Sequence, residues 1–203
     1  MKKKLSIGCT LVFVVNQGKI PHINPLQLLE KGVIDKKQAS TAQFNVMLGG
    51  VCYEDDDIRI TQELNRIVIG LKSEKTQGQD YLQSGIVALS NFFDDFLAIG
   101  VNFSCRIPMP PRALFYNKEN PLYKNFNIST DLFGANIVAA KEGYTQNISF
   151  APDKAKNEML ANVNNHFPKQ KDDEKFSFEL ALLKFAELKG EFTEMLDELS
   201  SRG

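Results

Sequence analysis

The strongest pattern of apolar and polar positions lies between residues 79 and 107. Residues 99–107 alternate between apolar and polar, as expected for a strand with one buried face, and Pro108 then ends the run. We therefore predict a helix over residues 81–96, packed on the sheet that its own following strand joins. The helix is indicated by apolar residues at steps of four and three, which share one face: Leu82, Ile86, Leu89, Phe93 and Phe96.

A first strand is predicted over residues 5–15, where every second residue is apolar. Lysines at positions 2–4 precede this run and give it the appearance of a secretion signal. However, residues 16–19 contain no small-residue cleavage site, and the run is too short to cross a bilayer. We therefore interpret it as a strand and expect a soluble, cytoplasmic protein with no membrane partner.

Three further strands are predicted before the central helix. The first covers residues 43–53 and is interrupted by the glycine pair at 49–50, which indicates a bulge or a sharp bend. An acidic turn at residues 54–57 separates it from apolar runs at 58–60 and 67–71. Because the connections are short, we expect these strands to be antiparallel.

The second half of the chain predicts a hairpin. Residues 134–141 and 144–150 flank the dipeptide Glu142-Gly143, which is typical of a tight turn. Residues 154–167 fit either a helix or a strand, and we favour a helical turn that leads into a strand.

A long amphipathic helix is predicted over residues 173–199. Gly190 weakens it by about 1 kcal/mol relative to alanine. Such a helix packs on its own domain more often than on another chain, and both alternatives stay open. Its apolar stripe repeats every seven residues: Phe178, Phe185, Phe192 and Leu199.

These elements predict an α+β fold, with a curved, mostly antiparallel sheet packed on the central helix and a carboxy-terminal helix appended. Residues 1–170 form the domain, with an irregular, proline-rich excursion at 108–133, and residues 171–203 form the last helix. Hydrophobic residues make up 43% of the chain, enough for a sizeable core.

Charge and cysteine content narrow the classes of function. The formal net charge is −1, so no strong overall field draws the chain to nucleic acid or to an anionic membrane. The three cysteines, Cys9, Cys52 and Cys105, each lie in an apolar, strand-like run. An odd number in such settings indicates buried, reduced thiols in a cytosolic protein.

Side chains capable of metal or acid–base chemistry are present, but their spacing does not favour a reaction centre. The acidic turn at 54–57 lacks the spacing of a calcium loop. Asp94 and Asp95 are adjacent on the predicted helix and point about 100° apart, so we expect a structural ion pair there. His22 and His166 have no second ligand at zinc spacing. We therefore expect no metal site, no cofactor and no catalytic residue.

The segment from Arg106 to Lys124 mixes basic and aromatic side chains. That mixture suits single-stranded nucleic acid, a protein interface, or a loop that folds back on the core; nucleic acid is the least favoured. As candidate partner-binding residues we name Arg112, Tyr116, Tyr123 and Lys124 in this segment, and Phe185 and Phe192 on the last helix.

Three short apolar segments follow one another along the chain: residues 64–69, residues 99–103 after the predicted helix, and residues 162–167. In this order they resemble a sporadically distributed family of uncharacterised bacterial proteins. Members of this family are often suspected of belonging to mobile elements or defence loci. The resemblance carries no established activity, so it assigns no role to any residue.

Three hypotheses about function follow. The leading one is a non-catalytic interaction or assembly subunit, which contacts a protein partner or a second copy through the excursion and the last helix. The second is a small apolar ligand-binding module with a pocket lined by Phe92, Phe96 or Phe103. The third is a hydrolase or nuclease that uses Asp94 or the acidic turn.

Overall fold

The computed structural model describes residues 5–15, 23–47, 50–90, 96–109, 134–169 and 179–201. Within these residues the strands form one open, antiparallel sheet in the order β2-β3-β4-β5-β1-β6-β9-β8-β7. This confirms the α+β class and the antiparallel sheet. The strands are β1 Gly8–Val15, β2 Gln43–Met47, β3 Gly50–Glu54, β4 Ile58–Gln62, β5 Arg66–Leu71, β6 Phe96–Pro108, β7 Ala135–Lys141, β8 Tyr144–Asp153 and β9 Glu158–Pro168.

The described helices are short, apart from the last one. They are α1 Pro25–Glu30, α2 Lys36–Thr41, α3 at residues 79–90, α4 Glu179–Leu183 and α5 Phe185–Ser201, and a 3₁₀ turn, Lys154–Lys156, precedes β9.

Strand β1 lies near the middle of the sheet, between β5 and β6. Its predicted alternation is confirmed, because Cys9, Leu11, Phe13 and Val15 are all buried while the residues between them are partly exposed. These side chains belong to one large hydrophobic cluster that joins the sheet to the helices. The face of the sheet that carries this cluster is called the core face below.

The prediction of a single strand over residues 43–53 is wrong. The structure has two strands there, β2 and β3, which pair with each other as an antiparallel hairpin. Gly50 explains part of the difference, since a Cβ at this position would collide with the carbonyl oxygen of Gln62 on β4. The glycine therefore permits β3 to begin against β4 rather than to continue β2. The predicted strands at 58–60 and 67–71 and their antiparallel pairing are confirmed.

Helices α1 and α2 follow from local capping. Asn24 Oδ1 accepts from Gln27 N at 2.9 Å, and Pro25 occupies the first turn, where no backbone donor is needed. Asp35 and Gln38 form a reciprocal capping box at the start of α2. Helix α2 ends at Thr41, and Ala42 N donates to Gln38 O at 3.0 Å.

Helix α3 contains a π-helical turn, Leu82–Ile86, between two short α-helical turns. Leu82, Ile86 and Leu89 are buried, as the helical spacing predicts. The Tyr81 ring lies against Gly85, where a Cβ would come within 2.9 Å of Cε2, and its hydroxyl donates to Val33 O at 3.2 Å. Glycine at position 85 therefore lets this tyrosine tie α3 to the segment between α1 and α2.

The prediction that this helix extends to Phe96 is wrong. Phe96 is the first residue of β6, and its ring centroid lies 5.4 Å from that of Phe13 on the neighbouring strand β1. In the sequence, Phe96 follows Phe93 by three residues, which continues the helical spacing. Phe96 and Ala98 also fit the period of two that is typical of a strand, and the contact of Phe96 with β1 favours the strand. Residues 91–95, with Asp94 and Asp95, lie outside the described part of the chain.

The predictions for residues 134–168 are confirmed. Strands β7 and β8 form a hairpin around Glu142-Gly143, with Gly143 at φ +80°. The 3₁₀ turn then leads into β9, which pairs with both β8 and β6. Of the two alternatives left open for residues 154–167, the helical turn followed by a strand is therefore the one found.

The carboxy-terminal helix lies on the core face of β6. The Phe103 ring centroid is 5.3 Å from that of Phe185 and 5.9 Å from that of Phe192, and all three side chains are buried. Where one continuous helix was predicted, the described residues have two, α4 and α5, which are separated at Lys184.

Candidate functional site

The face of the sheet opposite the core face is polar over its middle strands. Asn102 on β6 pairs in register with Asn164 on β9, and Asn164 pairs with Asn147 on β8. Thr10 on β1 continues this row on the other side of Asn102. Paired residues on adjacent strands point to the same side of a sheet, about 4.8 Å apart. Three carboxamides therefore stand next to one another across three strands.

A second row runs parallel to the first. Ser104 pairs with Asn162, which pairs with Ser149, which pairs with Asn136 on the edge strand β7. Asn162 Nδ2 donates to Ser149 Oγ at 3.5 Å. We call the two rows the amide face: Thr10, Asn102, Ser104, Asn136, Asn147, Ser149, Asn162 and Asn164.

The amide face forms the floor of an open groove of about 940 Å³. The charged residues that line the groove, Arg59, Glu63 and Arg66, are each in an ion pair within the chain. Arg66 Nε lies 2.5 Å from Glu63 Oε2, and Arg106 Nη1 lies 3.2 Å from Asp153 Oδ2. The groove is therefore rich in uncharged donors and acceptors.

Strand β7 is the last strand on one side of the sheet, and in the described part of the chain only one of its edges is paired. In a hairpin with a two-residue turn, the residues that flank the turn form a hydrogen-bonded pair, and here these are Lys141 and Tyr144. Along an antiparallel ladder, such bonded pairs alternate with non-bonded pairs. The odd-numbered residues of β7 therefore bond to β8. The backbone N–H and C=O groups of Asn136, Val138 and Ala140 point outward, and we call these groups the β7 edge.

Two hydrogen bonds in the middle of the sheet give the same alternation independently. Lys169 N donates to Leu97 O at 2.9 Å, and Met109 N donates to Asn157 O at 3.1 Å. Odd-numbered residues of β6 and β9 therefore bond to each other, so even-numbered residues of β9 bond to β8. Even-numbered residues of β8 then bond to odd-numbered residues of β7, which again leaves the even-numbered residues of β7 facing outward.

Within the residues that the structure describes, strand β7 lacks the charge, proline and bulge that usually protect a sheet edge. It has no proline, its register with β8 shows no bulge, and its one charged residue, Lys141, stands at its end. Ile137 is 51% exposed and Val138 is 65% exposed. Natural sheets usually shield such edges with charge, proline or a bulge, because an exposed apolar edge pairs with other strands.

The opposite edge of the sheet is strand β2, which is shorter. Its even-numbered residues, Phe44 and Val46, face outward by the same alternation. Val46 is 77% exposed, whereas Phe44 is partly buried and packs against the core. Strand β2 therefore offers two outward-facing residues, compared with three on β7.

A buried polar network lies on the core face between β8 and β6. Gln146 Nε2 donates to Asn165 Oδ1 at 3.0 Å, and Asn165 Nδ2 donates to Val101 O at 3.0 Å. Asn165 is fully buried. Sequence reasoning missed this network, and the available signal was an asparagine at an apolar position of the β9 alternation.

The acidic turn at 54–57 has a structural role. Asp55 is buried, and its Oδ1 accepts from Asp57 N and Ile58 N at 2.7 and 2.8 Å. Its Oδ2 accepts from Tyr53 Oη at 2.7 Å and from Gln38 Nε2 at 3.2 Å. In the described residues, no group of three or more His, Cys, Asp or Glu side chains is placed to hold a metal ion.

Four of the predicted partner-binding residues, Arg112, Tyr116, Tyr123 and Lys124, lie outside the described residues, as does most of the 108–133 excursion. The other two are described. Phe185 and Phe192 are 1% and 2% exposed and contact Phe103, so the structure places them in the core of their own chain.

The second hypothesis named Phe92, Phe96 and Phe103 as residues that line an apolar pocket. The rings of Phe96 and Phe103 pack against other phenylalanines of the core, and Phe92 is outside the described part. Sequence reasoning pointed to the excursion and the last helix, and it missed both the amide face and the β7 edge.

The three cysteines are free and buried. Burial raises the pKa of the Cys9 thiol to about 11, and the charge of Lys189 lowers it in part. Burial likewise raises the pKa of the Cys105 thiol. A raised pKa disfavours the thiolate, which is the reactive form, so the thiols of Cys9 and Cys105 are poor nucleophiles.

Comparison with known proteins adds no family to this picture. A scan against models of protein families finds no match, and a search of functionally characterised proteins finds none either. Over the residues that the structure describes, no helix combines the length and the apolar character needed to cross a bilayer.

Proposed function

We propose that this chain is a non-catalytic assembly subunit whose open sheet pairs, edge to edge, with a strand of another protein molecule. The observation that carries the proposal is the β7 edge, an apolar edge strand with no charge or proline between Ala135 and Ala140. An unpaired backbone edge flanked by exposed apolar side chains binds an added strand through main-chain hydrogen bonds. The candidate partner-binding residues at 112–124 stay part of the proposal as a second contact region.

The test is the mass of the full chain in solution, measured by light scattering across a range of concentrations, together with a pull-down for other proteins. We expect a species larger than the monomer, or a retained partner. Val138→Lys places a charge at the edge and should abolish the association. Leu64→Lys is the matched control, because Leu64 is 73% exposed and lies in the turn between β4 and β5.

A wild-type chain that stays monomeric at all concentrations and retains no partner would contradict the proposal. Equal association of the Val138→Lys and Leu64→Lys variants would show that another surface is used. In either case the folded state of each variant is checked by circular dichroism, so that loss of the fold is not mistaken for loss of association.

A second candidate function is the binding of a neutral, polyhydroxylated ligand such as an oligosaccharide in the groove over the amide face. Carboxamides both donate and accept hydrogen bonds, and so do sugar hydroxyls. Asn164 is exposed and Asn147 is partly exposed, and the buried Oδ1 atom of Asn102 has no hydrogen-bond partner among the described residues. The groove is uncharged over its middle strands, and the Phe103 ring packs on the opposite face, so it favours neither a phosphate backbone nor a stacked base.

Titration with a panel of neutral oligosaccharides, followed by nuclear magnetic resonance shifts of asparagine side chains, tests this second candidate. We expect shifts at Asn147 and Asn164, and a loss of at least about fivefold in affinity for Asn164→Ala, since one missing hydrogen bond costs about 1 kcal/mol or more. Asn45→Ala on the distant strand β2 serves as control. Absence of shifts with every sugar in the panel would reject it.

Two finer statements belong to the same proposal. We infer that α3 is the central helix on which the sheet curves, and the burial of Leu82 and Ile86 supports this. We also infer a cytoplasmic location, which the free, buried cysteines support, because reduced thiols are typical of that compartment.

A further inference from the structure

We infer that the partner of the β7 edge is the β7 edge of a second copy, joined antiparallel about a two-fold axis at Val138. This inference rests on the proposed function, and it names the partner and the register. The result would be one continuous sheet that runs through both copies.

The alternation of backbone groups permits this pairing. In an antiparallel ladder with its axis at residue 138, Val138 faces its own counterpart and Asn136 faces Ala140 of the second copy. All three residues point their N–H and C=O groups outward, so the three pairs that they form in this register are bonded pairs, each with two hydrogen bonds. The strand junction would contain about six hydrogen bonds.

The side chains are also compatible with this register. On the core face, Ile137 lies opposite Ala139 of the second copy, and Ala135 lies opposite Lys141. On the amide face, Val138 lies beside its counterpart. Lys141 is the one charged residue of the strand, and it meets an alanine, so no like charges are brought together.

A closed dimer is favoured over a head-to-tail filament by the difference between the two edges. Pairing of β7 with β2 of the next copy would repeat without closing. It would also leave one outward-facing residue of β7 unmatched, because the described strand β2 offers two such residues, Phe44 and Val46. Pairing of β7 with β7 of the second copy matches all three outward-facing residues and leaves none of them free for another strand. Two-fold dimers of this type are also the commonest closed assemblies.

Cysteine cross-linking of the full chain tests the register. In Val138→Cys the two new thiols would face each other across the axis, with Cα atoms about 5.5 Å apart, which a disulfide can bridge. We expect nearly complete covalent dimer under mild oxidation, seen on a non-reducing gel. Ile137→Cys is the matched control, since its counterpart is displaced along the strand, and it should stay largely monomeric on the same gel. The native cysteines are buried and contribute little background.

Proline substitution tests the hydrogen bonds. Val138→Pro removes an N–H group that faces outward and is not used by the β7–β8 ladder, so the hairpin should stay folded while the dimer dissociates to half its mass. Ala139→Pro removes an N–H group that faces β8 and should instead disrupt the hairpin.

The outcomes separate this inference from the proposed function. One result would overturn the inference alone: the chain assembles or retains another protein, but the Val138→Cys variant does not cross-link and the Val138→Pro variant keeps the wild-type mass. A monomeric chain that retains no partner would remove the proposed function as well. Species larger than a dimer that disappear with a charge at Val46 would indicate the head-to-tail arrangement instead.

Discussion

Strands β6 and β7 have similar apolar character but opposite surroundings. Strand β6 lies between β1 and β9, and its residues Val101 and Phe103 are buried beneath the carboxy-terminal helix. Strand β7 has no buried residue, although four of its seven positions are isoleucine, valine or alanine in succession. Apolar residues make a core only where another element covers them. Among the described residues, β6 is therefore paired on both sides and covered, whereas β7 is paired on one side only.

The largest expected effect is the difference in stability lost when a side chain is truncated on β6 and on β7. Phe103→Ala removes a ring that packs between Phe185 and Phe192, and we expect a loss of about 3–5 kcal/mol in the free energy of unfolding. Urea denaturation followed by circular dichroism measures this loss.

Val138→Ala is the control on the edge strand, measured at a concentration low enough for the monomer to dominate. Because Val138 is 65% exposed, its loss should change stability by no more than about 0.5 kcal/mol. Similar losses for the two variants would mean that β6 and β7 are not distinguished by burial.

The next effect concerns two adjacent residues of β9. Asn165→Ala leaves the Gln146 carboxamide without its partner inside the core and removes a side-chain donor to the Val101 carbonyl, and we expect a loss of about 1–3 kcal/mol. Asn164→Ala, one residue away on the exposed face, should be close to neutral. Thermal unfolding of both variants checks this, and equal effects would contradict the assignment of the two faces.

Much of the sheet could be predicted from the sequence because its strands alternate strictly. Residues 9–15 and 159–167 bury every second side chain, as their apolar positions predict. Prediction failed where one residue fitted two periods: Phe96 continues the helical spacing from Phe93 and also begins the strand alternation. Only its contact with Phe13, far away in the chain, resolves the choice.

The candidate site was much harder to predict. The asparagines of the amide face appear in the sequence as the polar half of three separate alternations. That Asn102, Asn164 and Asn147 stand in one row depends on strand order, which places β9 between β6 and β8. Likewise, residues 135–141 look like any other strand of a hairpin. Their position at the end of the sheet is a property of topology and not of local pattern.

Amide hydrogen exchange should sharpen the contrast between edge and centre. In a dilute monomer, the amides of Asn136, Val138 and Ala140 face solvent and should exchange quickly, whereas those of Ile137 and Ala139 are protected by β8. At high concentration the proposed dimer should slow the first three selectively. Odd-numbered amides of β6 should be protected at both concentrations, which makes them an internal reference.

Exchange that is equally slow for odd and even residues of β7 in the dilute monomer would contradict the alternation derived above. Exchange that stays fast for the even residues at every concentration would contradict pairing through the β7 edge, while leaving the register with β8 intact.

The smallest expected effect is a difference in thiol reactivity between the buried cysteines and a cysteine introduced at the surface. With a pKa of about 11, the Cys9 thiol is about one part in a thousand thiolate at pH 8, and burial also blocks access to it. A cysteine introduced at the exposed turn position by Leu64→Cys should have an ordinary pKa near about 8.5 and be roughly one quarter thiolate. Labelling with a thiol-specific chromophore should therefore modify the new cysteine within minutes and the native cysteines only after unfolding.

The pH dependence gives this prediction its control. Raising the pH from 8 to 9 should increase the labelling rate at position 64 only about threefold, because that thiol is already close to its pKa. The Cys9 thiolate should increase about tenfold over the same interval, since pH 9 is still well below its pKa. Rapid labelling of Cys9 in the folded chain at pH 8 would mean that β1 does not lie beneath a closed core, and the contrast between the centre and the edge of the sheet would fail at its central strand.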